Sequence, residues 1–228
     1  MQTVEEIFSK YNTDKNSLFH NYSRQYESVF QKFRSENIKY LEIGVFQGES
    51  LKAMREVFQN AEFILGIDIN PDCKQYEDAE RNIFVEIGDA SDLVFLNYIK
   101  TKYGESYDII LDDGSHTNEH VIKTFETLFS CVKEDGIYLV EDTICFKSDH
   151  HINRSYPDHL TYFVQFVPFL NQWRFDSTEE GSVRDHCIDP FKIQKKTSNP
   201  FEYSIDRIEF GCSYIVLHKK TRNHWIAL

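Results

Sequence analysis

The sequence predicts an α/β fold that is doubly wound around a mostly parallel, seven-stranded sheet. Two patterns carry this prediction. Across the middle of the chain, five short apolar segments with Gly, Asp or Glu at or near their C-terminal ends alternate with amphipathic segments, as parallel strands alternate with the helices that join them. Near the C-terminus, two β-like segments that meet around Gly211 predict an antiparallel hairpin at the sheet edge.

The predicted strands are rich in Ile, Leu, Val, Phe and Tyr, as expected for strands buried on both faces. The parallel strands are KYLEIGV (39–45), AEFILGIDI (61–69), NIFVEIGDA (82–90), YDIILDDG (107–114) and GIYLVEDT (136–143), and the hairpin strands are YSIDRIEF and CSYIVLHKK. Because the carboxyl ends of parallel strands meet at one edge, ligands bind at that edge in open α/β folds.

Helices are predicted between the strands. SLKAMREVFQN places Leu51, Met54 and Phe58 on one helical face. SDLVFLNYIKTKY begins with Ser91 as its cap, and HVIKTFETLFSCVKEDG ends at Gly136, a glycine placed like a helix C-cap.

Composition restricts the class of protein. The chain has 228 residues, a hydrophobic content of 41% and a net charge of −12, which argues against a nucleic-acid or anionic-membrane surface because either requires a cationic face. No uncharged apolar stretch approaches the ~18 residues of a membrane span, and the N-terminus shows no secretory signal. Five cysteines lack C-x-x-C spacing, so we expect buried free thiols in a soluble cytoplasmic protein.

Acidic residues and glycines at the strand ends indicate a nucleoside site. Glu42, Gly44 and Gly48 form an E-x-G-x-x-x-G turn between the first strand and a helix, where glycine permits a sharp turn and close approach of a ligand. Asp68 ends the second strand and Asp89 the third. Each acid alone could be a solvated turn residue, but three in succession at the ligand-binding edge favour a nucleoside.

Two further acidic pairs follow the fourth and fifth strands. Asp112 and Asp113 form the first pair, and Glu141 and Asp142 form the second. They could cap helices or pair with lysines, but oxygen ligands from adjacent strands also suit a hard cation such as Mg²⁺. His116 lies three residues after Asp113, where an imidazole could serve as a general base.

The nucleoside motifs resemble those of the class I S-adenosylmethionine-dependent methyltransferases, which have a Rossmann-like fold. The resemblance covers Lys39 to Thr143 and the terminal hairpin. It implies that the loop 42–48 faces the methionine part of S-adenosyl-L-methionine, Asp68 the ribose and Asp89 the adenine. The further cofactor contacts predicted on this basis are Ser50, Ile69, Ala90 and Asp112.

A narrower resemblance is to the metal-dependent sugar O-methyltransferases that modify macrolide deoxysugars. It rests on DDGSH at one strand end, ED at the next, and the N-terminal segment NTDKNSLFHNYSRQYESVF. It implies a catalytic site of His116, as base, and Asp113. It implies that Asp113, Glu141 and Asp142 ligate the metal and that Thr13, Lys15 and Tyr22 contact the cofactor.

One domain, 1–228, is expected from this resemblance and from the length of the chain. Residues 1–36 would form an N-terminal helical lid over the cofactor and 37–145 the nucleoside-binding core. Residues 146–200, where the strand–helix alternation stops, are expected to be a substrate lid, and 201–228 the terminal hairpin and tail.

The predicted function is methyl transfer from S-adenosyl-L-methionine to a sugar hydroxyl with the assistance of Mg²⁺. The acceptor could be a nucleotide sugar, a polysaccharide precursor or a glycosylated natural product, and the chain could form a homo-oligomer. Three alternatives stay open: catechol-type or N-methyl transfer on the same scaffold, aminopropyl transfer, and a cofactor-binding module without catalysis.

Overall fold

The computed structural model describes residues 2–168, 170, 201 and 204–220. Within them lies a sheet of seven strands: β1 (Lys39–Ile43), β2 (Phe63–Asp68), β3 (Ile83–Ile87), β4 (Tyr107–Asp112), β5 (Val132–Val140), β6 (Ile205–Gly211) and β7 (Tyr214–Lys219). Their order is β3–β2–β1–β4–β5–β7–β6. The first five strands are parallel, and β7 is antiparallel to β5 and β6. The predicted fold class is confirmed.

The α-helices of the described residues are α1 (Val4–Tyr11), α2 (Ser23–Phe30), α3 (Glu49–Val57), α4 (Leu93–Tyr103), α5 (Asn118–Leu128) and α6 (His159–Val164). The first begins with a capping box, in which the Thr3 hydroxyl accepts from the Glu6 N–H and the Glu6 carboxylate accepts from the Thr3 N–H. As predicted, Leu51, Met54 and Phe58 are all buried.

Helices cover both faces of the sheet. Tyr40 of β1 and Ile64 of β2 pack in the layer that contains α1, α2 and α3, whereas the next residues, Leu41 and Leu65, pack in the layer of α4, α5 and α6. Successive side chains of a strand point to opposite faces, so the same apolar strands contribute to both layers. This two-sided burial is the doubly wound arrangement.

The predicted end of α5 was wrong. The helix stops at Leu128, a single 3₁₀ turn follows, and β5 begins at Val132, which pairs with Tyr107. Asp135 adopts a left-handed φ of 61° beside a shift in the strand register. A Cβ at Gly136 would lie 2.8 Å from the Asp108 carbonyl oxygen, so this glycine permits a close strand contact rather than a helix cap.

The predicted cap of α4 was wrong by one residue. Asp92, not Ser91, caps the helix, and its carboxylate accepts a hydrogen bond of 2.9 Å from the Val94 N–H. Ser91 instead donates its backbone N–H to Asp89 at 2.7 Å. An aspartate is at least as good a cap as serine and also favours the positive end of the helix dipole.

The start of the predicted substrate lid is attached to the N-terminal end of α5. The buried Asn118 amide donates to the carbonyl oxygens of Asn153, Tyr156 and Pro157 at 3.0–3.1 Å. Residues 171–200 of the predicted lid and 221–228 of the tail lie outside the described residues.

Two of the predicted buried thiols are found. Cys73 and Cys131 are buried, Cys145 is partly exposed and Cys212 is exposed, all four as free thiols, whereas Cys187 lies outside the described residues. In the described part of the chain, no helix combines the length and the apolar character required to cross a membrane.

Candidate active site

A cavity of about 370 Å³ opens at the carboxyl ends of β1 to β4. It lies where the parallel strands of an open α/β sheet bind their ligands. Among the residues that line it are seven from the predicted site: Gly44, Asp68, Ile69, Asp89, Ala90, Asp112 and Asp113. Other predicted residues are not among those that line it: Thr13, Lys15, Tyr22, Glu42, Gly48, Ser50, His116, Glu141 and Asp142.

Asp68 organises the loop after β1. Its Oδ2 accepts hydrogen bonds from the backbone N–H groups of Val45 and Phe46 at 2.8 and 3.2 Å, and Oδ1 accepts from Asn70 at 2.8 Å. Burial opposes ionisation, but these backbone donors lower the pKa of Asp68 below its ordinary value. The carboxylate therefore stays charged at the cavity wall.

The predicted glycines allow close packing around this loop. Gly44 has a φ of +93°, and a Cβ there would collide with the Asp113 carbonyl oxygen. Gly48, with a φ of +73°, would place a Cβ 2.5 Å from the Tyr76 ring. Both positions combine a left-handed backbone with a close neighbour, so only glycine fits without strain.

Asp89 and Asp112 also contact the cavity, but in different environments. Asp89 accepts a hydrogen bond from the Ser91 N–H. Burial acts to raise the pKa of Asp89, but hydrogen bonds from the Ser91 backbone and side chain bring it below its ordinary value. Asp112 is buried and accepts from the hydroxyls of Thr124 and Tyr138. Burial raises the pKa of Asp112. Because both of its hydroxyl partners are buried, Asp112 resembles a core residue more than a residue of an open ligand site.

Glu42 is fully buried beneath the loop after β1. The Tyr40 hydroxyl donates to its Oε2 at 2.9 Å, and its Oε1 lies 3.9 Å from the Lys15 ammonium. Burial raises the pKa of Glu42 to about 7, while hydrogen bonding by the buried Ser50 hydroxyl acts to lower it.

Lys15 provides the positive charge of the site. Its side chain is 1% exposed, and its ammonium donates to Asp113 Oδ2 and, at 2.8 Å, to Glu141 Oε2. Glu42 Oε1 lies 3.9 Å away. Burial alone would lower the pKa of Lys15, but these carboxylates raise it well above its ordinary value. Lys15 therefore lies among the acidic residues and not in the wall of the cavity.

Two tyrosines of the N-terminal segment also contact the acidic pair after β5. The Tyr22 hydroxyl donates to Asp142 Oδ1 at 2.7 Å. Tyr26 donates to Glu141 Oε1, and His20 Nδ1 lies 3.4 Å from Asp142 Oδ1. Thr13 is buried in the same segment and accepts from the Lys15 N–H at 3.4 Å.

Asp113, His116 and Asp142 form a compact group at the edge of the cavity. Each offers one ligand atom, and the three atoms lie within 4.8 Å of one another. His116 Nε2 is 3.9 Å from Asp113 Oδ1 and 3.7 Å from Asp142 Oδ2. His116 and Asp142 both have a left-handed backbone, with φ of 55° and 50°, a conformation that clusters at functional sites.

Glu141 is not a member of this group. Its carboxylate is 1% exposed and is held by Lys15 and Tyr26. Burial and then Asp113 raise the pKa of Glu141 well above its ordinary value, in spite of Lys15. Its role as a metal ligand stays a prediction.

Several site residues were not predicted from the sequence. Tyr26 and His20 contact the acidic residues, and both lie in the N-terminal segment that carries the resemblance, so a signal for them was present. His120 and Thr124 line the cavity from α5. The adjacent histidines His150 and His151 are expected from the sequence to be surface residues rather than a metal pair, and the His151 ring centroid lies 6.3 Å from that of His116.

A family model described as a methyltransferase domain matches residues 41–143. The match runs from β1 to the turn after β5, and so includes each strand that contributes to the cavity. Residues 41–143 are therefore similar to a methyltransferase domain. The resemblance predicted from the strand-end motifs is confirmed.

Curated relatives of the methyltransferase domain are O-methyltransferases. The demethylmacrocin O-methyltransferase of Streptomyces fradiae is 34% identical over 146 residues, which are 61% of this chain and 36% of that protein. The 8-demethyl-8-(2-methoxy-alpha-L-rhamnosyl)-tetracenomycin-C 3'-O-methyltransferase of Streptomyces olivaceus is 34% identical over 143 residues, 60% of this chain and 35% of that protein. The chain spans about a third of the length of these relatives.

The fold also matches a solved methyltransferase. The MycE methyltransferase from the mycinamycin biosynthetic pathway, in complex with Mg and SAH, superposes with a TM-score of 0.79 and 23% identity. The superposition covers 96% of this chain and 55% of that one. It confirms the Rossmann-like methyltransferase fold with its C-terminal antiparallel strands.

Proposed function

We propose that the chain transfers a methyl group from S-adenosyl-L-methionine to a sugar hydroxyl with the help of a divalent cation such as Mg²⁺. One observation carries the proposal. A cavity of nucleoside size and the group of Asp113, His116 and Asp142 share one residue, Asp113. The two parts of a methyl-transfer site, donor and acceptor, would therefore adjoin each other.

The cavity suits a nucleoside with an amino-acid tail. Ile43, Ile67 and Ile69 give it apolar walls, and Asp68 and Asp89 place carboxylates at the ends of β2 and β3. Apolar walls with a few polar groups are typical of cofactor sites. Glu42 and Ser50, which are predicted cofactor contacts, would lie beneath the loop at the methionine end.

The group of Asp113, His116 and Asp142, called the acidic group below, suits a hard cation. Asp113 and Asp142 would hold it through carboxylate oxygens, and Glu141 is the predicted third ligand. Four carboxylates lie within 4.0 Å of the Lys15 ammonium, those of Asp14, Glu42, Asp113 and Glu141, and Asp142 adds a further acid, so one ammonium compensates only part of the negative charge. A divalent ion would therefore be attracted electrostatically.

When bound, S-adenosyl-L-methionine would supply an electrophilic methyl group and the divalent ion a positive charge that favours ionisation of the acceptor hydroxyl. His116 would accept the hydroxyl proton at Nε2, the atom that faces Asp113 and Asp142. Gly44 and Asp68 would hold the loop against the donor, and the apolar cavity walls would exclude water.

His116→Ala tests the base. We expect kcat to fall by about 10²–10⁴-fold with unchanged affinity for S-adenosylhomocysteine, measured with radiolabelled S-adenosylmethionine and acceptors such as demethylmacrocin, rhamnosyl tetracenomycins and nucleotide sugars. His150→Ala, an exposed histidine, is the control. Unchanged sugar methylation in His116→Ala would remove His116 as the base.

Addition of EDTA tests the cation. We expect EDTA to abolish turnover and Mg²⁺ to restore it. A cofactor-binding module without catalysis is the rival, and it is favoured by the Lys15 ammonium on Asp113 and Glu141, which pairs these acids without a metal. Tight binding of S-adenosylhomocysteine with no turnover and no response to Mg²⁺ would support that rival.

The choice of acceptor separates the enzymatic alternatives. Turnover of catechols or amines, but not of sugars, would indicate catechol-type or N-methyl transfer.

The remaining proposals concern the whole protein. We place it in the cytoplasm, with a small sugar-containing acceptor, and its net charge of −12 argues against a nucleic-acid partner. Residues 1–36 would cover the donor and 146–200 the acceptor within a single domain, 1–228. A homo-oligomer is compatible with this arrangement and is testable by light scattering.

A further inference from the structure

Each carboxylate of the acidic group uses one oxygen for the N-terminal segment and directs the other to His116. In Asp113, Oδ2 accepts from the Lys15 ammonium while Oδ1 lies 3.9 Å from His116 Nε2. In Asp142, Oδ1 accepts from the Tyr22 hydroxyl at 2.7 Å while Oδ2 lies 3.7 Å from the same nitrogen. Lys15 and Tyr22 thus determine which oxygen of each carboxylate faces His116.

We propose that Tyr22, together with Lys15, is a positioning residue that orients the cation-binding carboxylates. This replaces the prediction that these two residues contact the cofactor. The inference rests on the cation of the proposed function but concerns residues that would not touch the cation. Tyr22 would act through Asp142, and Lys15 through Asp113.

The environment of Tyr22 is rigid enough for this role. Its side chain is 1% exposed, and its ring packs between those of Tyr26 and Tyr214, at centroid distances of 6.1 and 6.2 Å. The hydroxyl also lies 3.1 Å from the Ser213 carbonyl oxygen in the β6–β7 turn. The position of the Tyr22 hydroxyl is therefore fixed both by the N-terminal segment, through Tyr26, and by the β6–β7 hairpin, through Ser213 and Tyr214.

A carboxylate needs such a partner because its terminal torsion is soft. The χ2 angle of an aspartate has broad, roughly two-fold preferences, so without the Tyr22 hydroxyl, and with only His20 Nδ1 at 3.4 Å from the same oxygen, Asp142 would present its oxygens in several directions. Partners that orient ligand side chains typically contribute 10–100-fold to metal affinity. Tyr22→Phe removes only the hydroxyl and leaves the charge of the site unchanged.

The test compares Tyr22→Phe with Tyr11→Phe. Tyr11 is the matched control because its hydroxyl also donates to a carboxylate, Glu56 Oε2, at 2.7 Å, and Glu56 belongs to α3, away from the acidic group. Mn²⁺ affinity is measured by electron paramagnetic resonance in the presence of S-adenosylhomocysteine. Affinity for S-adenosylhomocysteine and thermal unfolding are measured on the same full-length samples.

We expect Tyr22→Phe to weaken Mn²⁺ binding by about 10-fold or more, with unchanged affinity for S-adenosylhomocysteine, and Tyr11→Phe to change neither. Equal Mn²⁺ affinity in Tyr22→Phe and wild type would overturn the inference while leaving the cation in place. Weaker binding of S-adenosylhomocysteine with unchanged Mn²⁺ affinity would return Tyr22 to the cofactor-contact role. No Mn²⁺ binding by the wild type would instead refute the cation of the proposed function.

Discussion

Replacement of Lys15 by Met removes the cation of a buried charge cluster and should strongly destabilise the fold. At 2.8 Å, the attraction between Lys15 Nζ and Glu141 Oε2 is about 6 kcal/mol for an effective dielectric constant of about 20. Desolvation of the buried charges opposes this attraction. Removal of one partner of a buried pair typically costs about 3–5 kcal/mol, and we expect a loss of free energy of unfolding in this range.

The pH dependence of this loss has a definite sign. The pKa of Lys15 is raised in the folded chain, so its stabilising contribution is present below its unfolded value and is lost only as the pH rises through the folded one. Without Lys15, Glu141 and Glu42 can avoid unpaired burial by binding protons at low pH. The destabilisation of Lys15→Met should therefore be larger at pH 8 than at pH 5.5.

Urea unfolding in EDTA at these two pH values measures both effects. Lys10→Met is the matched control, because Lys10 makes an ion pair of 2.6 Å with Glu56 but is 53% exposed. Exposed pairs contribute at most about 1 kcal/mol. A loss in Lys15→Met no larger than that in Lys10→Met, or one that does not grow with pH, would refute the view that Lys15 compensates the acidic cluster.

Two further substitutions test the loop after β1. Gly44→Ala should destabilise the chain more than Gly104→Ala and also weaken S-adenosylhomocysteine binding, because both glycines have φ near 90° but only the methyl at Gly44 would collide with Asp113. Equal losses in urea unfolding would exclude the collision. Burial raises the pKa of Glu42 from 4.5 to about 7, so the wild type loses stability as the pH rises across this window. Glu42→Gln should gain up to roughly 3 kcal/mol relative to wild type between pH 4.5 and 7.5; a constant difference would contradict the raised pKa.

The strand-end residues could be placed from the sequence because sheet geometry determines them. Parallel strands that are buried on both faces give continuous apolar runs, and the residues that end those runs meet at one edge. Gly44, Asp68, Asp89 and Asp113, singled out in this way, line the cavity at that edge. The start of β5 was not, because the segment before Gly136 has the apolar spacing of a helix and becomes a strand only through its pairing with β4.

The partners of the acidic residues could not be predicted, because they are distant in sequence. Lys15 contacts Asp113 across 98 residues and Glu141 across 126, and no local pattern encodes such a pairing. Adjacent aspartates also differ, since successive residues of a strand point in opposite directions. Asp112 consequently contacts Thr124 and Tyr138, whereas Asp113 contacts Lys15.

The left-handed backbone of His116 has a consequence for how such a chain evolves. At a φ of 55°, a residue with a Cβ carries a conformational penalty of about 1–2 kcal/mol that glycine avoids. Random substitution to glycine at this position would therefore relieve strain while it deletes the imidazole. If stability alone were under selection, glycine would be the favoured residue here, so persistence of the histidine in a lineage would indicate selection for the base role proposed for it.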